Sequence, residues 1–282
     1  MKNIVVPIDF SPAALNACVY ALGLAQHIGA ALKVVHAYSG SFDNQQGLIV
    51  RAGMGRSEAV EAQMEEFVAL ASTDSGAVLS AQKVEAVSVH GQTIPSILAV
   101  VQELEESMIV MATSGAGNAV NRLLGSTATA VAQQATCPVL LVPPQSNYRP
   151  FNRILYASNS ESVQAHSLKQ FSAFAELFQP TVHFVHITDN DRESESLRQT
   201  VLNQLFQEQA PSFAFELHRI SATGSLWQSL QDYATSEQMD LLLLVNRQGG
   251  FWHNLLGNSL TQRMTHSSQL PLLITHFGAS AN

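Results

Sequence analysis

Charge of either sign is scarce in this sequence, and basic residues are scarcer than acidic ones. Charged side chains make up 13% of the 282 residues, with 14 Lys and Arg against 22 Asp and Glu, which gives a net charge of −8. Proteins that bind duplex nucleic acid usually present a basic surface, so this balance argues against that class. No block of like charges predicts an interaction tail.

Cysteine and long apolar runs are scarce as well. The two cysteines, Cys18 and Cys137, lie far apart in apolar segments, which argues against a disulfide framework and predicts a reducing, cytoplasmic location. Residues 1–12 are too polar for the apolar core of a signal peptide. Since no run of about 18 uninterrupted apolar residues occurs, we expect no membrane span.

Apolar residues, by contrast, are plentiful at 46%, and they fall in short runs between segments of helical spacing. A length of 282 residues favours two domains, because a typical domain has roughly 100–200. Short runs such as Ile4–Ile8 alternate with helical patterns, which predicts an α/β fold with parallel sheets. Ser11 and Pro12 are typical of a helix start, and Gly29 is typical of a helix end.

A segment of small residues follows the apolar run Met108–Met111. It covers 112–118, and a further glycine, Gly125, precedes Ser126 and Thr127 where a helix is expected to begin. Free backbone N–H groups and the positive end of a helix dipole would suit an anion at such a place. The same glycines also suit tight turns, so the loop alone leaves both interpretations open.

The second half of the chain repeats the first. A shift of 150 residues places 154–159 on 4–9 and 182–187 on 32–37, and a shift of 133 holds from Gly91 onward. Such constant shifts predict two tandem copies of one domain. We expect domains at 1–146 and 150–278, with a linker around Tyr148, Arg149 and Pro150.

Several of these features together resemble the universal stress protein A superfamily in its tandem form. They are IVVPIDFS at 4–11, VVH at 34–36, Gly91, the pattern Gly115, nine residues, Gly125, Ser126, and CPVLLV at 137–142. The first glycine of the family's loop is Ala112 here. The resemblance implies two doubly wound, Rossmann-like parallel sheets of the adenine nucleotide alpha hydrolase-like type, with five strands each. It also implies that the last strands, 139–142 and 272–275, pair to form an intramolecular pseudo-dimer, and it leaves room for a further homodimer.

The resemblance further implies a stress-response regulatory protein with ATP or AMP as its ligand, accompanied by Mg²⁺ in the case of ATP. In the nucleotide-binding branch of the family the ligand lies at the carboxyl ends of the strands, as is general for open parallel sheets. Adenosine contacts then fall at the ends of the first two strands, and phosphate contacts fall on the glycine loop and the following helix start. The residues implied are Pro7, Ile8, Asp9, Ala37, Met111, Ala112, Gly115, Gly117, Asn118, Gly125, Ser126 and Thr127.

No lysine follows Gly125, unlike in a P-loop, so we expect slow hydrolysis or none and assign no catalytic residue. Two purely structural interpretations stay open, namely that Asp9 only closes a turn and that Ser126 only caps a helix. The rival function is a tandem scaffold that has lost nucleotide binding and acts through contacts with an unidentified protein partner.

The second copy departs from the loop pattern. It retains Ser259 but has Asn159, Val245, Gln248 and Asn258 in place of Asp9, Ala112, Gly115 and Gly125. We therefore expect this loop to be degenerate and nucleotide binding to be confined to the first domain. His183 and His186 are three residues apart on an expected strand, so they should lie on opposite faces and share no metal ion.

Overall fold

The computed structural model describes residues 1–38, 56–75, 83–114, 125–158, 165–188, 191–205, 211–221, 225–246 and 270–276. These residues fall into two compact units, one running from Met1 to Arg149 and the other beginning at Pro150. Among the described helices, none combines the length and the apolar character needed to cross a membrane.

The first unit is an α/β fold built on a five-stranded parallel sheet. The strand order is β3-β2-β1-β4-β5, so the chain leaves β1 towards one edge and returns at β4 on the other side. This confirms the predicted doubly wound fold. The elements are β1 (Asn3–Pro7), α1 (Pro12–Ile28), β2 (Ala31–Tyr38), α2 (Arg56–Ser75), β3 (Val84–His90), α3 (Thr93–Gln102), β4 (Ser107–Ala112), α4 (Ser126–Gln134) and β5 (Val139–Val142).

The limits of α1 follow from local chemistry at its two ends. The Ser11 hydroxyl accepts a hydrogen bond from the backbone N–H of Ala14 at 3.1 Å, and Pro12 occupies the first helical turn. Gly29 ends the helix in the left-handed region at φ 68°, where the lack of a side chain removes the steric penalty. All three signals were readable in the sequence, and the structure confirms them.

The second unit has the same fold. Its five strands are parallel in the order β10-β9-β6-β7-β8, which matches the order of the first unit read from the other edge. The elements are β6 (Arg153–Ala157), α5 (Ala165–Ala175), β7 (Thr181–Ile187), α6 (Asp191–Leu205), β8 (Ala214–Ile220), α7 (Leu226–Ser236), β9 (Leu241–Asn246) and β10 (Leu272–His276).

Strand registers carry the sequence repeat into three dimensions. The first two strands of each unit pair at positions related by the shift of 150, and the last two pair at positions related by the shift of 133. The matching pairs are Ile4↔Leu32 with Ile154↔Val182, and Ile109↔Val139 with Leu242↔Leu272. The residue pairs in the two sheets therefore confirm that the two units are tandem copies of one fold. The limits 1–146 and 150–278, and the pairing of the two last strands, stay predictions.

Tyr148, expected in the linker, packs onto the first unit. Its ring meets Tyr20 of α1 edge-on at a centroid distance of 5.3 Å. A Cβ added at Gly23 would lie 2.8 Å from the Tyr148 ring, so α1 needs a glycine here for close approach. Tyr148 is therefore fixed to α1 by these contacts.

The two units fill equivalent core positions with side chains of different size. In the first unit, α1 approaches the sheet through small residues, and the strands beneath it carry valines. In the second unit the equivalent positions hold aromatic rings in mutual contact. The corresponding pairs, all fully or almost fully buried, are Val6 with Tyr156, Ala21 with Phe171, and Val34 with Phe184. The same backbone plan therefore accommodates two separately packed cores.

Candidate functional site

The strand order of the first unit reverses at β1, and in open α/β sheets the carboxyl ends of two such neighbouring strands, here β1 and β4, border a crevice. Pairing between these neighbours runs from Asn3↔Ser107 to Val5↔Ile109, and both strands then continue towards the same edge of the sheet. Ligands of open α/β sheets bind at such a switch point. Pro7 ends β1 and Met111 and Ala112 end β4, so three of the predicted site residues border this crevice.

Asp9 lies just beyond β1 and is exposed. Its Oδ1 accepts a hydrogen bond from the backbone N–H of Ser11 at 3.1 Å, and Ser11 in turn caps α1. The turn-closing interpretation of Asp9 is therefore correct as a local description. It is compatible with a ligand role, because the carboxylate remains at the exposed edge of the sheet.

His36 fixes the backbone that precedes Asp9. Its Nδ1–H donates to the carbonyl oxygen of Ile8 at 2.9 Å, while the Ile8 N–H donates to the carbonyl of Val35 at 2.8 Å. Phe10, at φ 60°, lays its ring 4.4 Å from the His36 ring. Burial lowers the pKa of His36, opposed by the bond to Ile8 and the charge of Asp9. The imidazole is thus neutral, with its proton on Nδ1.

Acid should weaken the folded state through His36. Because the folded pKa of His36 lies below its ordinary value, the unfolded chain takes up the proton first. The contribution is fully present above pH of about 6.5 and is lost as pH falls towards the lowered pKa, by at most about 1.4 kcal/mol per pH unit. Urea unfolding at several pH values should show a smaller acid loss in His36→Asn, whose amide retains a donor for Ile8. Identical losses in both proteins would contradict this assignment.

Two backbone hydrogen bonds fix the residue that follows β4 and the residue that precedes α4. The N–H of Thr113 donates to Val142 at 3.1 Å, and the N–H of Gly125 donates to Thr113 at 2.6 Å. The end of β4 and the start of α4 are therefore neighbours. Ala112 is an extended strand residue paired with Val142, and it is not among the residues with positive φ. The alanine at this position, where the family has glycine, therefore introduces no backbone strain.

The N-cap residue of α4 has no side chain with which to cap the helix. It is Gly125, at φ −66° and ψ 157°, and it makes no side-chain bond to the first helical N–H groups. Ser126 is the first helical residue and is exposed, so the interpretation of Ser126 as the N-cap is wrong. Thr127 follows it and is partly exposed. Since any residue can adopt the φ of Gly125, what glycine supplies here is an unobstructed helix terminus.

Three predicted site residues, Gly115, Gly117 and Asn118, lie outside the described residues. In the second copy, the replacements Asn159, Gln248 and Asn258 and the retained Ser259 also lie outside them. Val245 is described in β9, where it is buried and pairs with Thr275. Ile8, Ala37 and Met111 are buried, as expected for residues that would contact an adenine ring. The structure therefore brings the described members of the predicted site to one edge of one sheet.

The second unit repeats the histidine bond but not its surroundings. His186 Nδ1–H donates to the Ser158 carbonyl at 2.9 Å, in the same way that His36 bonds to Ile8. His186 also borders a cleft of about 570 Å³ on the side of the sheet that carries α6. In the first unit the equivalent histidine is covered by Phe10. The carboxyl edges of the two units therefore differ chemically.

His183 and His186 lie on opposite faces of β7, as predicted. His183 Nδ1 is 2.8 Å from the hydroxyl oxygen of Tyr233 on α7, and its ring stacks on His218 of β8. The sequence analysis missed the second group of polar residues that gathers at His183. The alternation of Glu216 and His218 in the sequence was the available signal, since a period of two places both on one face.

Comparison with known proteins supports the fold. A universal stress protein from Archaeoglobus fulgidus DSM 4304 superposes with a TM-score of 0.72, covering 99% of this chain and 97% of its own at 16% identity. A functionally unknown protein from Pseudomonas aeruginosa PAO1 gives a TM-score of 0.57, covering 98% and 92%, also at 16% identity. No curated protein sequence matches the chain. The profile of the Universal stress protein family matches residues 1–143. On that match, together with the tandem Rossmann-like fold, the chain belongs to the universal stress protein family.

Proposed function

We propose that the first unit binds ATP or AMP and that the chain acts as a regulatory protein of the stress response. The observation that carries this proposal is the meeting of β4 and the glycine-led start of α4 at the switch point, joined by the Gly125–Thr113 hydrogen bond of 2.6 Å. A phosphate group placed there would receive backbone N–H donors and the positive end of the helix dipole.

The adenosine end of the ligand is assigned to the ends of β1 and β2. Ile8 and Ala37 supply buried apolar surface against which an adenine ring can lie, and Met111 adds to it from β4. Asp9 stands at the exposed edge of this apolar patch, where its carboxylate can accept hydrogen bonds from ribose hydroxyls. Pro7 and the His36–Ile8 bond hold the backbone of this edge in place.

The phosphate end is assigned to the first turn of α4. The hydroxyls of Ser126 and Thr127 and the N–H groups behind them are the described donors. Gly115, Gly117 and Asn118 would complete the loop, an assignment that rests on the family pattern alone. Mg²⁺ would be held mainly by the phosphates of ATP, which provide the oxygen ligands that this ion prefers.

Little or no hydrolysis is part of the proposal. In P-loop enzymes a lysine next to the phosphate-binding helix reaches the terminal phosphates, whereas Ser126 and Thr127 follow Gly125 here. Asp9 is engaged with the backbone of Ser11 and is assigned to ligand binding. The nucleotide is therefore proposed as a regulatory ligand that changes the stability of one unit.

Restriction of the site to the first unit is also a proposal. Where Ala112 ends β4, the second unit has Val245, a larger β-branched residue that is only 3% exposed. The sequence further replaces the carboxylate of Asp9 by the amide of Asn159. Both differences favour a structural role for the second unit at this edge.

A cytoplasmic location completes the proposal, and the chemistry of the cysteines supports it. Neither Cys18 nor Cys137 forms a disulfide, and both are buried. Burial raises the pKa of Cys18 to about 12 and that of Cys137 to about 11, so both thiols stay protonated at neutral pH. They behave as core residues, as is usual for a protein kept in a reducing compartment.

The test of the proposed function is a calorimetric titration of the full chain with ATP in the presence of Mg²⁺. We expect saturable binding at one site per chain, and weaker or no binding of GTP because the adenine slot is apolar and shaped by three side chains. Absence of heat at millimolar ATP would favour the scaffold that acts only through protein contacts.

A further inference from the structure

A cluster of metal-ligating side chains lies on the α7 face of the second unit's sheet. His183 of β7 stands opposite Glu216 of β8 in the strand register, and His218 follows two residues later on the same face. One ligand atom from each of the three residues lies within 4.8 Å of the others. His183 is 1% exposed, whereas Glu216 and His218 are accessible from solvent. The cluster thus has a fixed buried member and two members that can adjust.

We propose that His183, Glu216 and His218 bind a divalent transition-metal ion of the Zn²⁺ class. Two imidazoles and one carboxylate form a donor set that such ions prefer over Mg²⁺ or Ca²⁺, which favour sites made of oxygen atoms alone. Three protein ligands leave further coordination positions to water.

The environment of His183 orients it as a ligand. Its Nδ1–H donates to the Tyr233 hydroxyl at 2.8 Å, which leaves the lone pair on Nε2. Metal-binding histidines typically donate their second N–H to an oxygen in this way. Burial of His183 lowers its pKa, so the ring is neutral and available to a cation. Tyr233 itself stays neutral because burial raises its pKa.

Glu216 and His218 are already engaged with each other. Their Oε2 and Nε2 atoms are 2.9 Å apart. This hydrogen bond lowers the pKa of Glu216, so its carboxylate is ionised. A metal ion would take the place of the proton between these two atoms, which keeps the carboxylate paired with a positive charge.

Arg153 is the group with which the ion must compete. Its Nη2 lies 3.4 Å from His183 Nε2 and 3.2 Å from the Glu237 carboxylate. The arginine side chain is 41% exposed, so it can retain Glu237 and move away from the imidazole. In the absence of metal, its N–H groups donate to the same lone pair that an ion would bind.

The first unit has an ion pair in place of the cluster. There the strand register pairs Lys33 with Glu85, and the ammonium and carboxylate form an ion pair of 2.9 Å. Val87 stands where the second unit has His218. The second unit has therefore kept the carboxylate, exchanged the permanent cation for a neutral imidazole, and added a second imidazole.

This difference supplies variants that should fold. His183→Lys recreates the ion pair of the first unit, and His218→Val recreates its valine, so both changes have a precedent on the same backbone. The full chain, freed of metal with a chelator and carrying no affinity tag, is titrated with Zn²⁺ and, for spectroscopy, with Co²⁺. We expect one ion per chain at this site, with a visible absorption band from Co²⁺ bound to histidine nitrogen. Each variant should weaken this binding at least tenfold.

His90→Gln is the matched control, because His90 is an exposed strand histidine outside the cluster. It should bind Co²⁺ as the wild type does. Circular dichroism must show that all variants are folded. The proposal is overturned if wild type takes up no ion, or if His183→Lys and His218→Val bind it as tightly as His90→Gln does.

Discussion

Gly125→Asn is expected to abolish stabilisation by ATP without weakening the unliganded protein. Asparagine is among the best N-cap residues, and the extended backbone at Gly125 can accept it. Its side chain would hydrogen-bond the N–H groups in the first turn of α4, which the proposal assigns to phosphate. Wild type at 100 times its dissociation constant should gain about 2.7 kcal/mol in free energy of unfolding. The variant should gain almost no stability from ATP. Without ATP, its free energy of unfolding should exceed that of the wild type by about a few tenths of a kcal/mol.

The control for this variant is the same side chain at another helix start. Gln92 is the N-cap residue of α3, its backbone is extended, and it makes no side-chain capping bond. Gln92→Asn should add a cap there and leave the response to ATP unchanged. Urea unfolding of both variants, with and without ATP and Mg²⁺, gives the comparison. A full ATP response in Gly125→Asn would show that phosphate does not bind at the start of α4.

Phe171→Ala should destabilise the second unit by about 3–5 kcal/mol, even though the first unit has alanine at the equivalent position. Phe171 contacts Tyr156 at a ring-centroid distance of 5.0 Å and also meets Phe184 edge-on. Removal of the ring leaves a cavity that these large neighbours cannot close. Ala21 causes no such loss, because the first unit has the smaller Val6 and Val34 where the second has Tyr156 and Phe184.

The reverse substitution, made in the first unit, tests the same difference between the two cores. Ala21→Phe would place a ring in a space that is fully closed, so it should also destabilise, through overpacking. Phe171→Leu is the milder control and should lose less than Phe171→Ala. Urea unfolding midpoints measure all three. If Phe171→Ala were neutral, the second core would be loosely packed, contrary to the ring contacts.

Much of the fold was predictable because the signals are local or repeated. Ser11, Pro12 and Gly29 act within one helix, and their positions set its ends whatever the surroundings. The repeat added a constraint from outside each segment, because two copies with constant shifts must share one strand order. The place of the crevice followed from that order, since it depends only on which strand adjoins β1.

The features that the sequence did not predict depend on contacts between segments that are far apart along the chain. The assignment of Gly125 as the cap depends on its bond to Thr113, which the intervening loop length does not reveal. The left-handed Phe10 packs its ring against His36, a contact between segments that the sequence does not reveal, whereas a general preference for negative φ predicts the opposite backbone. The gathering of Glu216 and His218 at His183 depends on strand register.

The central claim is that one nucleotide site exists per chain, in the first unit, and calorimetric stoichiometry tests it most directly. Tag-free wild-type protein, stripped of bound nucleotide, is titrated with ATP and Mg²⁺. The account predicts saturation at one ATP per chain, with the heat lost in Gly125→Asn and retained in Gln92→Asn. Two equivalent sites per chain, or no binding at millimolar ATP, would contradict it.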